Sequence, residues 1–321
     1  MLYHDIQFLH IVNFQEAYMD IRTLEYFLVI AREESITAAA DILHVSQPAL
    51  SRQLKELEKE LEKKLFVRES RGISLTEDGL LLKKRAEEMV ALMKKTKKEL
   101  KNSDETLAGD IYIGAGEAES VHYLTEAAYR LKTTCPDICF HISSGNTEDV
   151  LDRLDKGLID FALIVSLHDT GDKKYNYIHL PKEEMWGVLL PEKHPLAEKK
   201  TITADDLIPE PLIISNELLH SDILTEITGR PHEHLHISAT YSLLYNASIM
   251  VKDGLGIAIG LDGIINTRGD SRLVFRPLSP NRTIGMSIVW KKYQILSKTS
   301  LAFLNELHKV KPHTTEVACF P

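Results

Sequence analysis

The residues Ser46-Gln47-Pro48, with Ser51, Arg52 and Lys55 beyond them, gather hydroxyls, an amide, a guanidinium and an ammonium in about three helical turns. These donors bind phosphates and read base edges. Further along, Gly114-Ala115-Gly116 follows a strand-like run and precedes a helical one, as in a dinucleotide fingerprint. The third glycine is replaced by Glu119, and Glu117 adds a second carboxylate that would repel a pyrophosphate. The next strand ends in Ser143-Ser144 without a ribose-binding acid, so nucleotide binding is disfavoured. Gly254-Leu255-Gly256 precedes a strand rather than a helix and fails for that reason. His232, His234 and His236 alternate and on a strand would share one face, as metal ligands do. A polar loop entering a strand explains them more simply. Cys135 and Cys139 flank Pro136-Asp137, and neither stands in a setting that activates a thiol. No nucleophile elbow, P-loop or zinc-protease motif occurs. The sequence therefore specifies no catalytic residues, no metal ligands and no cofactor.

The elements that position the first group can be read from periodicity. Leu24, Phe27, Leu28 and Ala31 recur at i, i+3, i+4 and i+7 and predict an amphipathic helix. Thr37 is placed to cap a second helix, whose Ala38 to Leu43 packs closely. Ser46 caps a third, and Pro48 falls in its first turn, where a missing amide donor costs little. The break at Val45 to Pro48 is thus a tight turn of a helix-turn-helix. At ~100° per residue, Leu54, Leu57 and Leu61 fall within roughly 40° of Leu50, a buried stripe. Pro48, Ser51, Arg52, Lys55 and Lys59 take the opposite face, with Gln47 at the same end. KLFVR (64–68) and GISLT (72–76) then predict a hairpin, or wing, with Arg68 and Arg71 at its tip.

Thr76 can cap a long helix over 77–105, with Glu77 and Asp78 favouring its positive end. On it Leu82, Ala86, Met89, Met93, Thr96 and Leu100 follow 4-3-4-3-4 spacing, a heptad seam that predicts pairing of two copies. From Ala108 to about Val310 nine strand-like runs alternate with helical ones: DIYIG, CFHIS, DFALIV, MWGVLL, PLIIS, HISAT, GIAIG, LVFRPL and SIVW. Such alternation predicts α/β lobes with largely parallel sheets.

At 321 residues the chain calls for two or three domains, and 44% apolar residues mark it as globular. No run approaches the ~18 apolar residues of a membrane span, and the first residues do not read as a signal peptide. Three cysteines give no disulfide framework, which fits a cytoplasmic location. The net charge of -9 argues against nucleic acid. Acidic and basic groups are roughly balanced over 19–77, but Glu56, Glu58, Glu60 and Glu62 lie late in the third helix. The contact face is locally positive, and few phosphate contacts per copy then require a second half-site.

The series TAAADILHVSQPALSRQLKELEKEL…KLFVRESRGISLTEDG closely resembles the DNA-binding domain of LysR-type transcriptional regulators. One departure is Glu62, where the family usually has a glycine after the leucine ending the helix. The resemblance implies that the helix from Ser46 is the recognition helix. Thr37, Ser46, Gln47, Pro48, Ser51, Arg52 and Lys55 would then serve DNA, with Arg68 and Arg71 in the wing. It implies a linker helix that pairs subunits through Leu82, Ala86, Met89, Met93 and Leu100. It also implies a periplasmic-binding-protein-like effector domain with a small ligand between two lobes.

The implied fold is α+β and multi-domain: an extension (1–18), a winged helix-turn-helix domain (19–76), a linker helix (77–105), an effector domain (108–310) and a tail (311–321). Lobe I would comprise 108–182 and 267–310, and lobe II 183–266. Gly116, Glu117, Glu119, Ser120, Asn146, Thr147 and Ser166 would face the ligand from lobe I. Ser215, Asn216 and Thr240 would face it from lobe II. Helix N-termini and hydroxyls favour an anionic ligand, whereas Glu117 and Glu119 favour a cationic one. The expected function is a ligand-responsive regulator of transcription, binding operator DNA as a dimer or tetramer and acting on RNA polymerase. Two alternatives stand beside it: an enzyme with an accessory helix-turn-helix, which lacks a catalytic constellation, and a solute-binding module, which would not need the N-terminal domain.

Overall fold

Asp20 starts the first helix, α1 (Ile21–Glu33), by accepting a hydrogen bond from the Thr23 amide at 2.7 Å. That bond and the neighbouring Arg22 hold the Asp20 carboxyl below its usual range despite partial burial. The protein is described by a computed structural model over residues 19–69, 72–101, 107–165 and 174–310. The expected extension (1–18) and tail (311–321) lie outside the described residues. Two compact units divide between Lys97 and Lys98.

In the first unit α1 ends with Glu34 in a left-handed conformation, and α2 (Ile36–Leu43) follows at once. Its cap is Ser35, whose hydroxyl accepts from the Ala38 amide, not Thr37 as the sequence suggests. The turn after α1 is so short that the helix must begin earlier, and Thr37 sits exposed in its first turn. Ser46 caps α3 (Gln47–Glu60), with Pro48 in the first turn as expected. Leu50, Leu54 and Leu57 enter a core with Leu24, Phe27, Ile30, Ala39, Ala40 and Leu65.

The helix ends by a left-handed turn in spite of the missing glycine: Glu62 itself adopts φ +52. The amides of Leu61, Glu62 and Lys63 bond back to Leu57, Lys59 and Glu58 carbonyls. The wing follows as an antiparallel pair, β1 (Phe66–Glu69) and β2 (Gly72–Leu75). Thr76 caps α4 (Glu77–Lys101) through the Gly79 amide, as expected.

The heptad assignment on α4 divides. Ala86 is fully buried and Val90 nearly so, in the core of the first unit, with Leu82 packed on it. Ala86 and Leu82 therefore face their own domain, because that stripe is needed to close the helix-turn-helix core. Met89, Leu92 and Leu100 are exposed, and so are Leu80 and Leu81. Met93 is half-buried.

The second unit holds two sheets. The first runs β4 (Ile138–Ser144), β3 (Gly109–Ala115), β5 (Phe161–Val165), β14 (Met286–Lys291), β6 (Tyr175–His179). The second runs β10 (Ile237–Tyr241), β9 (Leu212–Ser215), β11 (Ile257–Leu261), β7 (Glu184–Pro191), β12 (Leu273–Ser279), β8 (Ile202–Thr203), with β13 (Thr283–Ile284) also on β7. All nine sequence runs are strands. Each sheet is mixed rather than largely parallel: β4-β3-β5 and β10-β9-β11 are parallel, and β14, β6, β7 and β12 join antiparallel.

The lobe boundary also moves. The run LVFRPL pairs with β7, so the chain returns to the first sheet after Ile284, not after Asn266. The helices are α5 (Val121–Thr134), α6 (Thr147–Asp155), α7 (Ala204–Leu207), α8 (Asn216–Leu219), α9 (Asp222–Thr228), α10 (Leu244–Lys252) and α11 (Lys298–Leu307). Phe161 and Phe303 centre the core between the first sheet and α5 and α11.

Candidate nucleic-acid interface and effector cleft

With the leucine face of α3 turned inward, the opposite face is open. Gln47, Pro48, Arg52 and Lys55 are exposed and Ser51 is half-exposed. The Gln47 amide donates to the Ser51 hydroxyl at 2.8 Å, one turn on. Arg52 bonds Glu56 at 2.9 Å while its side chain stays 81% exposed. Such a pair is worth about 0.3–0.5 kcal/mol and yields readily to a phosphate or base. Arg68 is exposed on β1 opposite Ile73, one pair in from the Glu69–Gly72 end, so it stands on the strand rather than at the tip. Arg71 lies outside the described residues.

One of the acids late in α3 has a structural role. Glu58 is buried, accepts from the Leu65 amide at 2.9 Å and pairs with Lys64 at 2.7 Å. It ties the end of α3 to the start of the wing, across a sequence gap that helical phasing does not register.

In the second unit the loops after β3 and β4 meet those after β9 and β10. Gly114 sits at a close-packed position: a Cβ would stand 2.7 Å from Val150 and 2.8 Å from Ile159, so those side chains would have to shift. Glu117 reaches across and accepts from the Leu244 amide, the first of α10. Reciprocally, Glu217 on α8 accepts from the Thr147 amide, the first of α6, at 2.9 Å. Each lobe thus supplies a carboxylate to a helix N-terminus of the other. Asn146 caps α6 through the Asp149 amide, and Ser215 caps α8 through the Leu218 amide. The Asn216 amide donates to Ser242, and Thr240 is exposed at the end of β10. Burial, with Glu117 nearby, pushes the Tyr241 hydroxyl up, and that hydroxyl donates to the Ile259 carbonyl.

Two expected ligand residues are otherwise engaged. Ser120 is 2% exposed, and both its amide and its hydroxyl donate to the buried Glu184. It is a structural partner of that carboxylate and cannot meet a ligand. Glu119 pairs with Lys182 at 2.5 Å, a bond that holds the lysine above its usual range. Gly116 is half-exposed beside Glu117. Ser166 lies outside the described residues. Glu184, Glu217 and Lys182 carry no local motif, and only the fold brings them to these partners.

Comparison with known proteins bears on both units. A family model described as "LysR substrate binding domain" matches residues 104–311. A second, "Bacterial regulatory helix-turn-helix protein, lysR family", matches residues 21–80. The uncharacterized HTH-type transcriptional regulator YvbU of Bacillus subtilis is 29% identical over 242 residues, covering 75% of this chain and 81% of that protein. A hydrogen peroxide-inducible genes activator of Pectobacterium carotovorum is 30% identical over 197 residues, covering 61% of this chain and 64% of that protein. The solved full-length CbnR in complex with its target DNA superposes with a TM-score of 0.69 at 17% identity, covering 91% of this chain and 99% of that one. A full-length OxyR variant from Pseudomonas aeruginosa gives 0.52 at 22%, covering 90% and 99%. These two structures speak to the fold. The family models account for both units, and the chain belongs to the LysR family: it is a ligand-responsive, DNA-binding transcriptional regulator.

Proposed function

We propose that two or four copies of the chain, acting in the cytoplasm, place paired α3 helices in successive major grooves of double-stranded operator DNA. Ser46, Gln47, Pro48, Ser51, Arg52 and Lys55 serve the bases and adjacent phosphates, and Arg68 and Arg71 serve the backbone beside them. The observation that carries this reading is the open polar face of α3 opposite its buried leucines. Copies pair through the apolar part of α4, where Met89, Leu92 and Leu100 are exposed. Effector-dependent movement then changes the contact with RNA polymerase. The protein works by binding, not turnover.

The effector lies between the lobes among Gly116, Glu117, Asn146, Thr147, Ser215, Asn216 and Thr240. A helix N-terminus offers about half a positive charge, and Glu117 and Glu217 each bring a full negative one to such a terminus. Glu119 is balanced by Lys182. The lining is therefore net negative, which favours an effector with an amine or similar donor group over a simple anion. Its leverage is the difference in its affinity for the two subunit arrangements.

Footprinting of the full-length protein on DNA upstream of its own coding region, with and without candidate amines, tests this. Two protected half-sites about one helical turn apart, or a multiple of that, are expected, with spacing altered by an effector. Protection without any sequence preference would overturn the reading.

A further inference from the structure

Among the described residues, a group of metal-ligating side chains outside the cleft lies on β3 and β4. These strands pair in parallel register, with Asp110 opposite Cys139 and Tyr112 opposite His141. Side chains two apart on a strand share a face, so all four stand together on one side of the sheet. The donor atoms of Asp110, Cys139 and His141 lie within 4.8 Å of one another. We propose that these three residues form a binding site for Zn²⁺, with the fourth position open to water.

The donor set argues for the metal. One thiolate, one imidazole and one carboxylate suit borderline-soft Zn²⁺, whereas Mg²⁺ and Ca²⁺ take oxygen ligands. Tetrahedral Zn²⁺ with bonds of about 2.0–2.3 Å sets donors roughly 3.3–3.8 Å apart. The present donor spacings, 2.6 Å between Asp110 and His141 and at most 4.8 Å elsewhere in the group, reach that range with shifts of about 1 Å. Cys139 is exposed and Asp110 half-exposed, so these two side chains have room to adjust.

The surroundings are already ordered for it. The Tyr112 ring stacks on His141, with centroids 4.7 Å apart and planes 14° from parallel, and fixes the imidazole. Asp110 Oδ1 lies 2.6 Å from His141 Nε2, and Asp110 Oδ2 lies 3.0 Å from Lys98 Nζ. The ammonium of Lys98 thus shows that this spot accepts positive charge, and the metal replaces it on Asp110. On ligation the Cys139 thiol proton passes to solvent, Asp110 binds as the carboxylate and His141 through an unprotonated nitrogen. No electrons move.

The test uses the full-length, reduced chain and Co²⁺ as a spectroscopic probe, followed by Zn²⁺ competition. One equivalent of Co²⁺ should give a thiolate-to-cobalt charge-transfer band that Zn²⁺ bleaches. Cys139→Ser should abolish the band. Asp110→Asn and His141→Ala should weaken binding by about tenfold or more. Lys98→Ala should tighten it, since the competing ammonium is gone. Zn²⁺ should also slow alkylation of Cys139 while leaving Cys135 unchanged, a readout that does not depend on any variant folding. Absence of the band, its persistence in Cys139→Ser, or equal protection of Cys135 would overturn the assignment.

Discussion

Truncating Arg52 to alanine separates the DNA-reading role of α3 from its structural one. The guanidinium is 81% exposed and engages Glu56 in an i,i+4 pair. Losing that pair costs the fold no more than about 0.5 kcal/mol. A bidentate base contact is worth about 1–3 kcal/mol, and forming it requires releasing Glu56 at up to about 0.5 kcal/mol. The net loss is therefore about 0.5–2.5 kcal/mol per half-site, or about 1–5 kcal/mol for a dimer on two half-sites. Even the lower bound is about a fivefold rise in Kd. Fluorescence anisotropy on a footprinted operator at fixed salt reads this directly, with light scattering and a thermal melt as controls. Glu56→Ala should move the other way, tightening a dimer's binding by up to about fivefold because the competing pair is gone at both half-sites. An Arg52→Ala protein whose Kd stays within twofold of the parent, with mass and melt unchanged, would refute the docking face.

Three further outcomes follow from named contacts. Glu62→Gly should raise stability by about 0.5–1 kcal/mol, because the residue already holds φ +52, and denaturant melts check it. Glu117→Ala and Glu217→Ala should accelerate hydrogen exchange at the Leu244 and Thr147 amides respectively, by about tenfold for a loss near 1.4 kcal/mol at the better-buried Glu117 and less at the exposed Glu217. Unchanged exchange would show that the cross-cleft bonds do not form in solution. Met89→Glu with Leu92→Glu should yield monomers by light scattering, whereas an unaltered mass would move the pairing surface elsewhere on the chain.

Much of this arrangement is written in local patterns. The leucine stripe of α3 follows from a 3.6-residue period, and the nine strands follow from short apolar runs bounded by turn residues. What failed to show is what depends on distant partners. Ser35 and Thr37 are equally able caps by composition, and only the abruptness of the α1 turn selects Ser35. The strand Tyr175–His179 mixes tyrosines with polar residues at a sheet edge and so carries no apolar run. Nothing near LVFRPL indicates that it pairs with β7, and nothing near Ser120 indicates that Glu184 claims its hydroxyl. The α4 heptad is a case of one pattern with two readings. Its Ala86 and Leu82 satisfy a seam by spacing, yet the helix-turn-helix core needs them first.

The carboxylate of Glu58 clasps the exit of α3 to the first residues before the hairpin. Helix and wing consequently behave as a caliper of set opening, not as two fingers that adjust separately. A duplex that is too wide or too narrow between those two points must itself bend, so the protein can discriminate among sequences by their flexibility at base pairs it never touches.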